Sequence, residues 1–138
     1  MKHYEVVAAI IYKNDKILCV QRNSSKYSYI SNKFEFPGGK IEAGETRAQA
    51  LHREIFEELN LKIEIKSEFL TVSHQYPDFE ITMHSFLCKT DSSNLILKEH
   101  IDFKWLNENK LLDLEWAAAD VPIVEKLINE KSNAATFI

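Results

Sequence analysis

The stretch "HREIFEELN", residues 52–60, places Glu54, Glu57 and Glu58 three and four positions apart, with Arg53 directly before them. On a helix such residues are neighbours, and like charges at that spacing cost about 0.2–0.5 kcal/mol per pair. Two readings fit the carboxylates alone. One is a solvated helix face. The other is a site for a hard divalent cation, which takes oxygen ligands, keeps several waters and shares substrate phosphates. With Ala48 at zero on a helical wheel, Leu51, Ile55 and Leu59 fall between about −60° and +20°, and Glu57, Glu54 and Glu58 at about 180°, 240° and 280°. The carboxylates therefore form a stripe beside the buried face instead of being interleaved with lysines.

The glycines point to the same region. The chain has three, Gly38, Gly39 and Gly44, where average usage gives about ten in this length. All precede the acidic stretch within seven residues, so close backbone approach or unusual φ/ψ values are expected there.

These residues need elements to hold them. "HYEVVAAIIY" (3–12) and "KILCVQ" (16–21) are β-rich runs joined by a polar turn, which predicts a hairpin or neighbouring strands. "FEF" ends at Pro37-Gly38-Gly39. Thr46 and Gln49 have capping-box spacing, and Asn60 can adopt the left-handed conformation that ends a helix. Residues 62–76 and 79–90 read as long strands joined around Pro77-Asp78, and residues 100–106 as another. Asp120, followed by Pro122 and an apolar-periodic run, starts a terminal helix and can cap it. The expectation is one α/β domain over residues 1–138, a mixed sheet with at least two helices packed on it.

From Gly39 to Leu61 the chain reads "GKIEAGETRAQALHREIFEELNL". This resembles the signature box of the Nudix hydrolases, matching eight of nine positions: Gly39, Glu45, Arg53, Glu54, Ile55, Glu57, Glu58 and Leu61. Asn60 stands where the family has glycine, a helix-ending position that Asn can serve. "NKFEFPGGKIEAGET", "YPDFEITMHSFL" and "ADVPIVEKL" extend the resemblance to the MutT-type branch, over about residues 5–129.

The resemblance implies a Nudix fold, an α/β/α sandwich with a mixed β-sheet. It implies that Glu54 and Glu58 bind Mg²⁺, or Mn²⁺ in its place, with Glu57 beside them and the Gly38 carbonyl as a further ligand. Arg53 would orient the glutamates, and Glu45 would steady the loop; Gly39 and Asn60 complete the box. Glu99 in "LKEHI" matches a loop carboxylate of the family, and Glu54 or Glu99 would be the general base. Arg22, Glu35, Phe36, Pro37 and Asp120 would contact substrate, with Phe36, Tyr29 and Tyr76 as stacking partners for a base. The implied reaction is attack of water on an internal phosphorus of a nucleoside triphosphate, releasing monophosphate and pyrophosphate. An ionised Asp120 only accepts hydrogen bonds, and the resemblance leaves 8-oxo-dGTP and modified cytosine nucleotides both open. His74, His84 and His100 lack zinc spacing and read as structural or peripheral.

Composition bounds the alternatives. With 138 residues, 45% hydrophobic content and net charge −4, and a pI of about 5.7, no general attraction to a nucleic acid polymer or a membrane is implied. Cys19 and Cys88 read as reduced, buried thiols, and no apolar run is long enough to span a bilayer, so a cytoplasmic protein is expected. A nucleotide-sensing module without catalysis is disfavoured because the box carboxylates are all present. Cleavage of another diphosphate such as ADP-ribose is mildly disfavoured by the short chain. Composition says nothing of oligomeric state.

Overall fold

The computed structural model describes the backbone of residues 1–136 and the side-chain surroundings of residues 1–131. The strands are β1 (Lys2–Lys13), β2 (Lys16–Gln21), β3 (Phe34–Glu35), β4 (Gly38–Lys40), β5 (Glu64–Gln75), β6 (Phe79–Lys89) and β7 (Asp102–Leu106). Helix α1 (Arg47–Leu59) follows β4, and α2 (Val121–Thr136) follows 3₁₀ turns at Glu108–Asp113 and Ala118–Asp120.

β1 organises the sheet. It runs parallel to β6 from Lys2↔Phe79 to Tyr12↔Lys89, and antiparallel to both β2 and β4 on its other side. The sheet is therefore mixed. The β1–β2 hairpin closes through Asn14 and Asp15, with Asn14 at φ 58°; Asn tolerates that left-handed value better than most side chains.

The apolar run Val6–Ile11 is nearly continuous because both faces of β1 are covered. Ala8 and Ile10 face a cluster with Ile123, Val124 and Leu127 of α2. Val7, Ala9 and Ile11 face the other side, against Leu51, Ile55 and Leu59 of α1. Each of those three α1 side chains is fully buried, worth about 1.5–3 kcal/mol apiece. The expected helix–sheet–helix sandwich is what forms.

Helix α1 begins and ends as its sequence predicts. Thr46 Oγ1 accepts from the Gln49 amide at 3.1 Å, and Gln49 Oε1 accepts from the Thr46 amide at 2.9 Å. Asn60 closes the helix at φ 57°, ψ 31°, supplying the left-handed residue where the family has glycine. Cys19 and Cys88 are buried and unpaired, and burial pushes each thiol up to about 12. Among the described residues no helix is long and apolar enough to cross a membrane.

Candidate active site

A cavity of about 550 Å³ opens where β1, β3, β4, α1 and the segment before β7 meet. Gly38, Gly39, Glu58 and Glu99 line its wall, together with Phe36, Ala119, Asp120, Arg22, Glu35 and His100.

Arg53 organises the glutamates Glu45 and Glu54, which with it lie off the cavity wall. Its Nε and Nη2 donate to both Glu45 oxygens at 2.6 and 2.9 Å, Nη2 also reaches the Lys40 carbonyl at 3.1 Å, and Nη1 donates to Glu54 Oε1 at 2.8 Å. Charge-assisted pairs of this bidentate kind are the strong ones. Glu45 also accepts from the Glu42 amide at 2.9 Å. These bonds hold its carboxyl down at about 2, the Arg53 guanidinium being the largest cause. Arg53 and Glu45 therefore knit the glycine loop to α1. Glu57 is mostly exposed and reaches only Arg53 Nη1, at 3.3 Å; it lies off the cavity wall.

Glu58 has no such partner. It is 8% exposed, and its Oε2 is buried without a hydrogen bond. Burial, then the charges of Glu35, Glu54 and Glu99, push its carboxyl up to about 9. A Cβ on Gly39 would run into the Glu54 carboxylate, so glycine lets Glu54 lie against the loop. Among the described residues no three acidic, imidazole or thiol side chains already converge closely enough to enclose a metal. The donor chemistry nevertheless suits a hard cation: clustered carboxylates, one with an orphaned buried oxygen, beside a loop stripped of side chains.

Asp120, also on the cavity wall, is 5% exposed and its Oδ1 accepts from the Phe36 amide at 2.9 Å. The expected helix cap is thus a cross-fold tether: the carboxylate holds β3 instead of the first turn of α2. Burial and the Glu35 charge raise its carboxyl well above the usual range, against the opposing pull of the Phe36 amide and Arg22. An Asp in its acid form donates as well as accepts, whereas the ionised form only accepts. The Tyr76 hydroxyl accepts from the Ala119 amide at 3.0 Å, and Phe36 stacks on Trp116 with centroids 4.7 Å apart.

Other expected contacts fall elsewhere. Tyr29 stacks between Tyr27 and Tyr76 and donates to Asp78 at 2.7 Å, off the cavity wall. Pro37 also lies off it, its carbonyl accepting from the Ala9 amide at 2.8 Å. Sequence reasoning missed Tyr4, Lys26, Tyr27, Phe79, Ile81 and Met83, all of which line the cavity. Tyr4 and Val6 pair with Ile81 and Met83 across the parallel ladder. Period-2 spacing would have found them had that register been known. His100, read as structural or peripheral, is buried on the wall, its side chain 5% exposed.

Comparison with known proteins adds four findings. Residues 1–127 match the family model described as the NUDIX domain. Over 125 residues, 91% of each chain, the protein is 34% identical to the CTP pyrophosphohydrolase of Escherichia coli. It is 31% identical over 127 residues to the 8-oxo-dGTP diphosphatase of the same organism, covering 92% of this chain and 98% of that one. A solution structure of a MutT Nudix hydrolase from methicillin-resistant Staphylococcus aureus superposes with TM-score 0.72 at 38% identity, covering 94% and 99% of the two chains.

Proposed function

The chain belongs to the NUDIX family and is a hydrolase acting on acid anhydrides, and on that premise we propose that it cleaves nucleoside triphosphates, with Mg²⁺, to the monophosphate and pyrophosphate. The substrates we assign are oxidised guanine or modified cytosine nucleotides, so the enzyme clears the nucleotide pool. One observation carries the reading: the same cavity is lined by Glu58 and Glu99, Glu58 with an orphaned buried oxygen, and by the buried Asp120. Triphosphate and base need those two environments.

When bound, a divalent cation neutralises phosphate charge and makes a water more acidic. Glu54, Glu58 and the Gly38 carbonyl are the groups to hold it, with Arg53 keeping Glu54 turned toward the loop. Glu54 or Glu99 takes the proton from the attacking water. The new P–O bond forms at an internal phosphorus as the anhydride P–O bond breaks, and pyrophosphate carries off the bonding pair. Arg22 has a buried Nε without a partner and is placed to meet phosphate or sugar oxygens. Asp120 and the Phe36–Trp116 stack receive the base.

The test is pyrophosphate release with Mg²⁺, as kcat/KM over 8-oxo-dGTP, dGTP, CTP, dCTP, 5-methyl-dCTP and ADP-ribose. We expect a modified nucleotide to exceed its plain counterpart by about tenfold, the scale of one extra hydrogen bond in the transition state. Glu54→Gln and Glu58→Gln should each lose at least about 10²-fold in kcat. Indifference between purines and pyrimidines would remove the role given to Asp120. Wild-type activity in both glutamine variants would remove the mechanism.

A further inference from the structure

His100 lies beside Glu99 in a segment without regular secondary structure. Its side chain is 5% exposed, unusual for a histidine in a loop. Its Nε2 lies 2.9 Å from Glu35 Oε2, and the other Glu35 oxygen accepts from Arg22 Nη1 at 3.0 Å. A carboxylate paired with Arg22 only accepts, so Nε2 is the donor. Nδ1 is left buried without a partner.

The backbone around Glu99 shows what this bond does. On the near side, Ile96 and Lys98 amides donate to the Leu59 and Glu58 carbonyls at 3.0 and 3.1 Å, tying the segment to the end of α1. On the far side, the Ile101 amide donates to the Gln21 carbonyl at 3.0 Å, at the end of β2. Between these anchors, His100 is tied by its side chain to Glu35 on β3. The next residue, Phe36, is held in turn by Asp120. Glu35 thus joins the Glu99 segment to the strand that leads to the Phe36–Asp120 bond.

We infer that His100 is a positioning residue for this hydrolase: by donating to Glu35 it fixes the Glu99 segment against β3 and sets where the Glu99 carboxylate stands relative to Glu58. The inference rests on the proposed hydrolysis for its catalytic consequence but not for its structural one. Removing the donor frees the segment between Lys98 and Ile101, so Glu99 samples positions away from the cluster. A group that acts in the transition state then costs kcat more than KM.

The experiment compares His100→Leu, which keeps bulk and loses the donor, with His100→Gln, whose amide nitrogen can reach the Nε2 position. Two readouts are taken: steady-state kinetics on the preferred triphosphate with Mg²⁺, and amide hydrogen exchange at residues 96–101. We expect His100→Leu to lose about tenfold or more in kcat with KM changed less than about threefold. Its amides at Glu99–Ile101 should exchange at least about tenfold faster. His100→Gln should recover most of both. A folded His100→Leu with kcat within about twofold of wild type and unchanged exchange overturns the inference, and so does a His100→Gln as impaired as the leucine variant. Should the leucine variant fail to fold, the glutamine variant decides: near-wild-type kinetics and exchange support the tether, and loss of both overturns it. If wild type cleaves no triphosphate, the proposed function fails on its own, and hydrogen exchange alone judges His100.

Discussion

Glu58 stands under strong electrostatic tension. Its folded pKa of about 9 stands well above the ordinary 4.5. Between those values the folded state keeps a proton that the unfolded state has released. Stability of the cation-free protein is therefore fullest below about pH 4.5 as far as this group is concerned, and is lost as pH rises toward 9. Thermal unfolding in EDTA should show Tm falling across pH 5–9, and Glu58→Gln should flatten that slope and raise Tm at pH 8. The same variant loses activity, so stability and catalysis oppose each other at this one side chain. A slope unchanged in Glu58→Gln would mean its carboxyl is not the buried charge described. On the proposed reading Asp120 bears on selectivity. Its carboxyl is raised by burial and the Glu35 charge, and deprotonation removes its donor, so KM for a nucleotide that needs the donor should climb as pH rises. Asp120→Asn keeps an oxygen for the Phe36 amide and an N–H for the ligand at every pH. Its KM profile should stay flat, as read from KM measured across pH 6–9.5.

At the scale of elements, the glycine loop and α1 act as one unit, and most of that unit was legible from the sequence. Thr46, Gln49 and Asn60 perform the cap roles their types predict, because capping is chemistry between near neighbours. Arg53 and Glu45 meet eight residues apart because a loop and a helix turn bring them together. What local chemistry could not supply is contact across the sheet: Glu35 with His100, Asp120 with Phe36, Tyr4 with Ile81. Those depend on the β1–β6 register and on where the 90–101 segment crosses, which no short window encodes. The two adjacent glycines should then fail differently. A Cβ at Gly38 would drive into the Val7 carbonyl of the central strand, and that backbone does not move cheaply. Gly38→Ala should cost about 1–3 kcal/mol of stability, read by urea unfolding. At Gly39 the obstructing group is the end of the Glu54 side chain, which can swing aside. Gly39→Ala should therefore fold with stability close to wild type and lose at least about tenfold in kcat as Glu54 is displaced. Equal stability loss in the two variants would count against this division.

For the whole molecule, the cavity is assembled from nearly every layer: Arg22 from the end of β2, Glu35 and Phe36 from β3 and its edge, Gly38 and Gly39 from β4, Glu58 from α1, and Asp120 from the turn before α2. These residues come from different elements, so a ligand that spans the cavity clamps the α1 side of the sandwich to the α2 side. On the proposed reading a cation alone engages only the carboxylates. At ten times its Kd it adds about 1.4 kcal/mol, which for a chain of this size is a rise of about 4–7 °C in Tm. A non-hydrolysable triphosphate analogue without cation must bring its phosphates against Glu54, Glu58 and Glu99 unshielded, and should stabilise little. If both bind there, the phosphates would offer the cation further oxygens and the cation would offset the carboxylate repulsion, so each ligand would strengthen the other by the same factor. The Tm rise with Mg²⁺ and an α,β-methylene triphosphate should accordingly exceed the sum of the separate rises. In Glu58→Gln that excess should shrink or vanish. Strictly additive shifts in the wild type would place cation and nucleotide in independent sites, and the cavity would then not be the place where both bind.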